Sequence, residues 1–437
     1  MLVRELSSPV DLLALHASDP ERYPYLLQTA ARAEHGTAFD MLFRAVGEPQ
    51  RFTTKVLEEL GSVLPCRVSP EPESDVLPFS GGWFAYFGYE FAGAIEPELA
   101  LPTYDDLPTV LLHRAPAALL VDRSTGRCVA VAEPGAESLL AELVRDAAGQ
   151  PTLPAAGELA TGRFREDLPG RFVQGVNRAL EYIAAGDVYQ VNLSRQWQVD
   201  FAAAVNPTQL YRRLLASNPA PFAGIMQACG QAVVSSSPER LLSVRGNAVA
   251  TRPIAGTRPR GTQRRRDERL RRELLGNEKE RAEHVMLIDL ERNDLGRIAR
   301  PGTVEVDEFM VVESYSHVHH IVSNVRAELA AGVGPVDAIA ATFPGGTITG
   351  CPKMRCMQII AELEGGPRGP YTGAFGYINR DGSLDLNILI RTLHVAGATV
   401  SFRAGAGIVA DSDPLAELNE TRAKARGLLQ ALQVAAA

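Results

Sequence analysis

The sequence predicts an α+β fold. Its strands come as short pairs joined by tight glycine turns, Cys229-Gly230-Gln231 and Arg245-Gly246-Asn247 among them, which suit antiparallel hairpins. Helical periodicity falls between clusters of hairpins rather than after every strand, so a parallel doubly wound sheet is not expected.

At 437 residues the chain has length for one large domain or two, with a sizeable core. Its 46% hydrophobic and 22% charged residues are ordinary for a soluble globular enzyme. A net charge of -8 without a lysine–arginine block argues against nucleic acid and anionic membrane as partners. An anionic substrate then needs locally placed cations. Residues 1–16 lack a basic start followed by an apolar core, and no apolar run approaches membrane-spanning length. Five scattered cysteines (Cys66, Cys128, Cys229, Cys351 and Cys356) read as reduced thiols in a cytoplasmic protein.

Residues 1–150 form a first, weakly patterned region. Residues 12–16 and 53–60 have helical spacing, and Gly82-Trp83-Phe84-Ala85-Tyr86-Phe87 is a glycine-framed aromatic strand. Residues 117–122 and 128–133 flank Arg123-Ser124-Thr125-Gly126, a hairpin signal. Residues 150–162, rich in Pro, Gly and Ala, mark a boundary. The second region covers residues 164–432. Phe172, Val176, Leu180 and Ile183 share a helix face, and Gly186-Asp187 ends that helix. Strands are expected at 188–193, 222–228, 232–236, 241–244 and 248–252. A charged helix over 267–294 breaks near Gly276, and 336–342 and 354–363 are helical. The last strands are 371–378, 384–393 and 399–403, with Gly405-Ala406-Gly407 following as a glycine turn.

Two pairs of carboxylates have helical spacing, Glu280 with Glu283 and Glu417 with Glu420. Facing each other, they could hold Mg²⁺, which prefers hard oxygen ligands. By spacing alone a solvated helix face, with Lys424 pairing Glu420 at i+4, serves equally well. Gly345 to Gly350 has the spacing of a phosphate loop, but Cys351-Pro352 stands where Lys-Ser/Thr is required. Gly405-Ala406-Gly407-Ile408-Val409-Ala410 matches a dinucleotide fingerprint, but no second strand follows to complete the unit. What remains is backbone N–H able to bind a carboxylate. Arg391, inside an apolar run, either snorkels, pairs with an acid or grips a ligand carboxylate. His317, His319 and His320 would alternate across a strand, so they do not form a three-histidine site. Glu239, where hairpins converge, is either a proton donor or the ion-pair partner of Arg240 or Arg252.

Residues from about 165 to 432 resemble the chorismate-binding enzymes, which include anthranilate, aminodeoxychorismate, isochorismate and salicylate synthases. The matching stretches are Gly186 through Leu193, Ser237-Pro238-Glu239-Arg240, Arg252 through Gly261, Met286 through Arg297 and the whole of 343–424. The resemblance implies two packed antiparallel sheets surrounded by helices. It assigns Glu280, Glu283, Glu417 and Glu420 to a Mg²⁺ site. It assigns Thr347, Tyr377, Arg391, Gly405, Ala406 and Gly407 to chorismate, and Glu239, His320 and Lys424 to catalysis, with Glu239 protonating the departing C4 hydroxyl.

Within the family, Ala220-Pro221-Phe222, Gly345 through Gly350, Asp385-Leu386-Asn387-Ile388 and Asp411-Ser412-Asp413-Pro414 are similar to aminodeoxychorismate synthase component I. That resemblance implies chorismate and ammonia as substrates, with ammonia supplied by a glutamine amidotransferase subunit. Ala255 departs from it, standing where that enzyme commonly carries a lysine thought to attack C2; alanine is the anthranilate synthase pattern. Residues 25–30 resemble the segment where related subunits bind tryptophan, although Gln28 and Thr29 depart from its Leu-Leu-Glu-Ser pattern. A non-catalytic member that only binds ligand or partner is the alternative of a different class.

Overall fold

The computed structural model describes residues 1–31, 39–53, 55–70, 77–149, 151–153, 155, 157, 159–261, 263–315 and 318–434. Among them, antiparallel strands form two sheets. The first runs in the order Leu2–Glu5, Cys128–Ala132, Ala117–Asp122, Phe39–Arg44, Tyr25–Gln28, Phe222–Ala228, Gln231–Ser237, Thr392–Ala396, Thr399–Ile408, Gln190–Phe201 and Gly350–Cys351. Gly162–Glu166 adds to Gln190–Phe201. The second runs Ile254–Pro259, Val318–Glu328, Ala248–Arg252, Arg240–Arg245, Leu384–Ile388, Ala374–Asn379, Gly82–Phe87, Val110–Ala115 and Gln50–Phe52, with Glu305–Ser314 beside Val318–Glu328. The expected α+β class holds. Strands from the first 132 residues enter both sheets: Tyr25–Gln28 pairs with Phe222–Ala228, and Gly82–Phe87 with Ala374–Asn379.

The sheets pack face to face, and strand alternation decides which side chains meet. Phe84 and Tyr86 turn to the other sheet, where Phe84 stacks on Tyr25 at 4.0 Å, while Ala85 and Phe87 turn to the helices. Helices Leu12–Ser18, Glu137–Ala148, Pro207–Ser217 and Pro414–Ala431 cover the first sheet's outer face. Val56–Val63, Glu278–Gly296 and Pro335–Thr342 pack a second core against the other sheet, and Pro169–Ala184 and Lys353–Glu364 extend that core over Gln190–Phe201 of the first. Strands buried on both faces have no reason to alternate in hydropathy. Ala117–Asp122 and Cys128–Ala132 are such strands, and their continuous apolar runs explain the weak patterning of residues 1–150.

Three expectations are corrected here. Residues 384–393 are two strands, not one: Leu384–Ile388 lies in the second sheet and Thr392–Ala396 in the first. The chain crosses at residues 389–391, where Arg391 takes a left-handed φ of 53°. The amide of Leu389 donates to Gly373 O at 2.8 Å and that of Ser236 to Arg391 O at 3.2 Å, which fixes the bend. Gly405, Ala406 and Gly407 are not a turn but the extended continuation of Thr399–Ile408, paired with Gln190–Phe201. The strand expected from residue 371 starts at Ala374, leaving Tyr371 and Thr372 in a turn with Thr372 at φ 64°.

The contact between the sheets is testable at Phe84. Phe84→Ala is expected to lower the unfolding free energy by about 3–5 kcal/mol in urea titrations. A loss below about 1 kcal/mol would mean that the two sheets do not share this core.

Candidate functional site

The chain passes between the sheets at two adjacent places, and the site forms around them. One is Pro238-Glu239, between Gln231–Ser237 in the first sheet and Arg240–Arg245 in the second. The other is the crossing at residues 389–391. The amide of Ile388 donates to Glu239 O at 3.0 Å, and the Ser237 hydroxyl donates to Ile388 O, so the two crossings hold each other.

Glu239 is buried, and burial pushes its carboxyl up to about 7; the Thr347 hydroxyl, the Ile254 backbone and the Lys424 ammonium pull the other way. Thr347 sits in the short turn Gly346–Ile348, with its carbonyl accepting from Asn192 Nδ2 at 3.3 Å. Arg391 is half-buried, and among the described residues its guanidinium makes no ion pair or hydrogen bond. Burial lowers its pKa, with Tyr371 and Glu420 acting in the opposite sense. An unpaired cation in a desolvated wall is a receptor for an anion.

Beside Arg391 lies the end of Thr399–Ile408. Its neighbour Thr392–Ala396 pairs only as far as Phe402, leaving that edge open beyond. On the other side, opposite Gly405 and Gly407, the amides of Ser194 and Asn192 donate to Glu364 and Thr349 O instead. Antiparallel alternation therefore turns the N–H groups of Gly405 and Gly407 to the open edge, and Ala406 the opposite way. Lys424 Nζ donates to Gly405 O there at 3.0 Å. A Cβ on Gly405 would stand 2.7 Å from Asn192 Oδ1, Leu193 O and Tyr371 Oη, and one on Gly407 2.4 Å from Gln190 Nε2. The glycines are required by close approach, not by turning.

His320 projects from Val318–Glu328, its Nδ1 3.0 Å from the Thr257 hydroxyl. Burial lowers it to about 4, so the imidazole is neutral at pH 7. His319 faces the opposite way, with Nε2 2.9 Å from Asp267 Oδ1. This is the expected alternation; His317 lies outside the described residues.

The four acids sit at two helix starts. Asn277 Oδ1 accepts from the Glu280 amide at the head of Glu278–Gly296, and Asp413 caps Pro414–Ala431. Glu280 pairs with Arg258 at 2.7 Å, Glu283 accepts from Gln190 Nε2 at 2.9 Å, and Glu420 pairs with Lys424 at 2.7 Å. Glu417 is buried. Among the described residues no three Asp, Glu, His or Cys side chains meet closely enough to enclose a metal ion. The donor chemistry nevertheless suits a hard cation: all four groups are carboxylates, and Glu280 Oε2 is buried with no hydrogen-bond partner.

Tyr377 does not join this group. It packs between the sheets, 5.7 Å from Phe79 and 6.3 Å from Phe43 by ring centroid. Tyr371, which sequence reasoning missed, is the tyrosine beside Arg391 and Gly405. Its signal was the turn Pro370-Tyr371-Thr372-Gly373, absorbed into an overlong strand. Also missed was Arg368, which stacks over Tyr371 at 5.4 Å and donates to Asn192 O at 2.8 Å and Ile348 O at 3.2 Å.

Comparison with known proteins bears on this arrangement. The family described as chorismate binding enzyme matches residues 23–430. The chain is 45% identical over 376 residues to anthranilate synthase component 1 of Thermus thermophilus, covering 84% of this chain and 80% of that one. It is 43% identical over 373 residues to aminodeoxychorismate synthase component 1 of Bacillus subtilis, covering 82% and 78%. Anthranilate synthase component I from Streptococcus pneumoniae superposes with a TM-score of 0.78 at 30% identity, over 90% of this chain and 92% of that one.

Glu239 links the site to stability. Its folded pKa of about 7 lies above the ordinary 4.5. The stability it contributes is thus complete below that ordinary value and is lost as pH rises through about 7. Glu239→Gln is expected to remove this loss, moving the stability difference by about 3 kcal/mol toward the variant between pH 5 and 9. Urea titrations across that range measure it; an unchanged difference would mean that the carboxyl ionises freely in the fold.

Proposed function

Since the chain belongs to the chorismate-binding enzymes and acts on chorismate, we propose that it is component I of an aminodeoxychorismate synthase. It converts chorismate and ammonia to 4-amino-4-deoxychorismate, the precursor of 4-aminobenzoate and folate, with ammonia delivered by a glutamine amidotransferase subunit. The observation that carries an aminating reading is an unmated Arg391 on one crossing and, on the crossing bonded to it, a buried Glu239 whose carboxyl is raised to about 7.

Chorismate is a dianion. Arg391 grips one carboxylate bidentately, and the N–H groups of Gly405 and Gly407 supply further donors on the same wall. Tyr371 closes that wall. Mg²⁺, held by Glu280, Glu283, Glu417 and Glu420, would neutralise the second carboxylate and fix the ring's orientation when bound. Glu239 carries a proton below about pH 7 and gives it to the departing C4 hydroxyl, which leaves as water. Lys424, bonded to Gly405 O and Glu420, balances the charge left on Glu239. His320, neutral at pH 7, offers a hydrogen bond without a second cation.

A second reading is favoured by one residue. Ala255, buried on Ile254–Pro259 opposite Ile321, supplies no amine nucleophile. Either ammonia adds to the ring without a covalent intermediate, or the chain is an anthranilate synthase component I, releasing anthranilate and pyruvate.

The product decides between them. Purified chain with chorismate, Mg²⁺ and ammonium is expected to form aminodeoxychorismate, detected as 4-aminobenzoate after addition of a lyase. Fluorescent anthranilate with pyruvate would establish the second reading instead. Turnover should decline as pH rises through about 7, the value at which Glu239 loses its proton; a rate flat from pH 6 to 9 would remove Glu239 as the acid. Glu420→Gln is expected to cut turnover by about 10- to 100-fold at limiting Mg²⁺ with the fold intact. Unchanged turnover there would take Glu420 out of the metal site.

A further inference from the structure

Two of the four acids hold a side-chain cation, and the two cations are tied differently. Lys424 Nζ stands 2.7 Å from Glu420 and also donates to Gly405 O at 3.0 Å, a second anchor on another strand. Arg258 Nη1 stands 2.7 Å from Glu280 Oε1, and its other bond, of 2.9 Å, reaches only the carbonyl of the adjacent Thr257. The Glu280 side chain is 18% exposed against 48% for Glu420, so its pair is the better sheltered from solvent.

Strand Ile254–Pro259 passes directly over this carboxylate. A Cβ on Gly256 would lie 2.3 Å from Glu280 Oε2, and the backbone there holds φ 63°, so both close approach and conformation call for glycine. Oε2 is buried and has no hydrogen-bond partner among the described residues, while Oε1 is taken by Arg258. An orphaned carboxylate oxygen costs free energy until a donor or a cation meets it. Glu283, three residues on along Glu278–Gly296, adds a second acid to that face.

The backbone on both sides of Arg258 is held by other contacts. Before it, Ala255 and Thr257 pair with Ile321 and His320. After it, Arg260 donates to Asp267 from Nε and Nη2, each at 2.9 Å, and from Nη1 to Tyr315 O at 2.6 Å. The Gly261 amide donates to the same Asp267 at 2.7 Å. The Arg258 guanidinium can therefore leave Glu280 as a side-chain motion alone.

We propose that Arg258 is the resident counter-ion of Glu280 and competes with Mg²⁺ for that carboxylate, so that metal binding drives its guanidinium off. The inference rests on the Mg²⁺ assignment above. Two cations on one carboxylate repel each other, and the oxygen still open on Glu280 lies beside the one that Arg258 holds. Without the metal, the guanidinium offsets the repulsion between Glu280 and Glu283. With it, the divalent ion takes over that task. The exchange lets the fold tolerate loss of the metal and lowers its affinity for Mg²⁺.

Calorimetric titration of Mg²⁺ into the whole purified chain, without chorismate, reads this competition. Arg258→Met keeps the apolar stem, removes the charge, and is expected to tighten Mg²⁺ binding about tenfold. Arg258→Gln decides if the methionine variant misfolds. Arg281→Met is the control: it removes the same charge one residue from Glu280, but Arg281 Nη1 meets Leu275 O, at 3.4 Å, rather than an acid. Its Kd should stay within about twofold of wild type. Thermal melting gives a second reading, since a fixed Mg²⁺ concentration should raise the Tm of Arg258→Met more than that of wild type. Equal Kd values for wild type and a folded Arg258 variant overturn the inference and leave the Mg²⁺ assignment intact, as does equal tightening in Arg281→Met. If neither wild type nor the Arg258 variants bind Mg²⁺, the assignment falls, and the inference with it.

Discussion

Three buried charges hold the catalytic wall in place. Glu364, almost wholly inaccessible, accepts from Arg368 at 2.7 Å, from Arg403 at 2.8 Å, and from both the amide and hydroxyl of Ser194 at 2.7 and 2.8 Å. Burial alone would push its carboxyl up, but the two guanidiniums outweigh it and hold the group ionised. Each arm reaches a different part of the site. Ser194 is opposite Gly405 in the ladder, Arg403 is on the same strand as Gly405, and Arg368 grips Asn192 O, Ile348 O and the Thr372 hydroxyl. A buried ion pair is weak evidence for stability, since desolvation offsets most of its attraction. What such a network does supply is a single geometry, because each donor left unmet would cost about 1–3 kcal/mol.

That geometry matters because the site is built from pieces that share no element. Glu239 and Arg391 lie on separate crossings between the sheets, Thr347 on a short turn, Gly405 and Gly407 on an open strand edge, and the acids on two helix starts. Arg391 holds a left-handed backbone at a residue that disfavours it, a strain the surrounding hydrogen bonds must override. Crossings between packed sheets are suited to this. They are the places where a backbone leaves one ladder before joining the next, so side chains can point along the seam.

Much of this was legible in the chain. Hairpin turns and helical periodicity located most elements after residue 164, and the long motifs pointed to Glu239, Thr347, Arg391 and the four acids. The failures have a common cause. The run Ile388-Leu389-Ile390-Arg391-Thr392-Leu393 is apolar on both sides of Arg391 because it is buried in both sheets, so hydropathy gave no sign that the strand breaks. The same lack of contrast made Tyr371 and Tyr377 interchangeable, two tyrosines in one apparent strand; only the turn at Thr372 separates the one at Arg391 from the one between the sheets. Gly405 and Gly407 read as a turn because glycine signals turning more often than close approach.

Charge in the site does not cancel evenly, and the imbalance bears on binding and chemistry together. Glu280 is matched by Arg258 and Glu420 by Lys424, whereas Arg391 has no mate among the described residues. For a carboxylate about 4 Å from such a cation, an effective dielectric of about 20 gives an attraction of about 4 kcal/mol, well above the 0–1 kcal/mol of an exposed pair. On the proposed reading a chain of net charge -8 would draw its anion by a local contact rather than by its overall field. An ionised Glu239 beside that anion would oppose it by a comparable amount. The burial that lifts Glu239 to about 7 lessens this repulsion and, in the proposed reaction, would keep a proton for the departing hydroxyl. In the proposed reaction, binding the dianion and expelling its hydroxyl would both depend on one property of the fold: a carboxyl kept dry at the seam between two sheets.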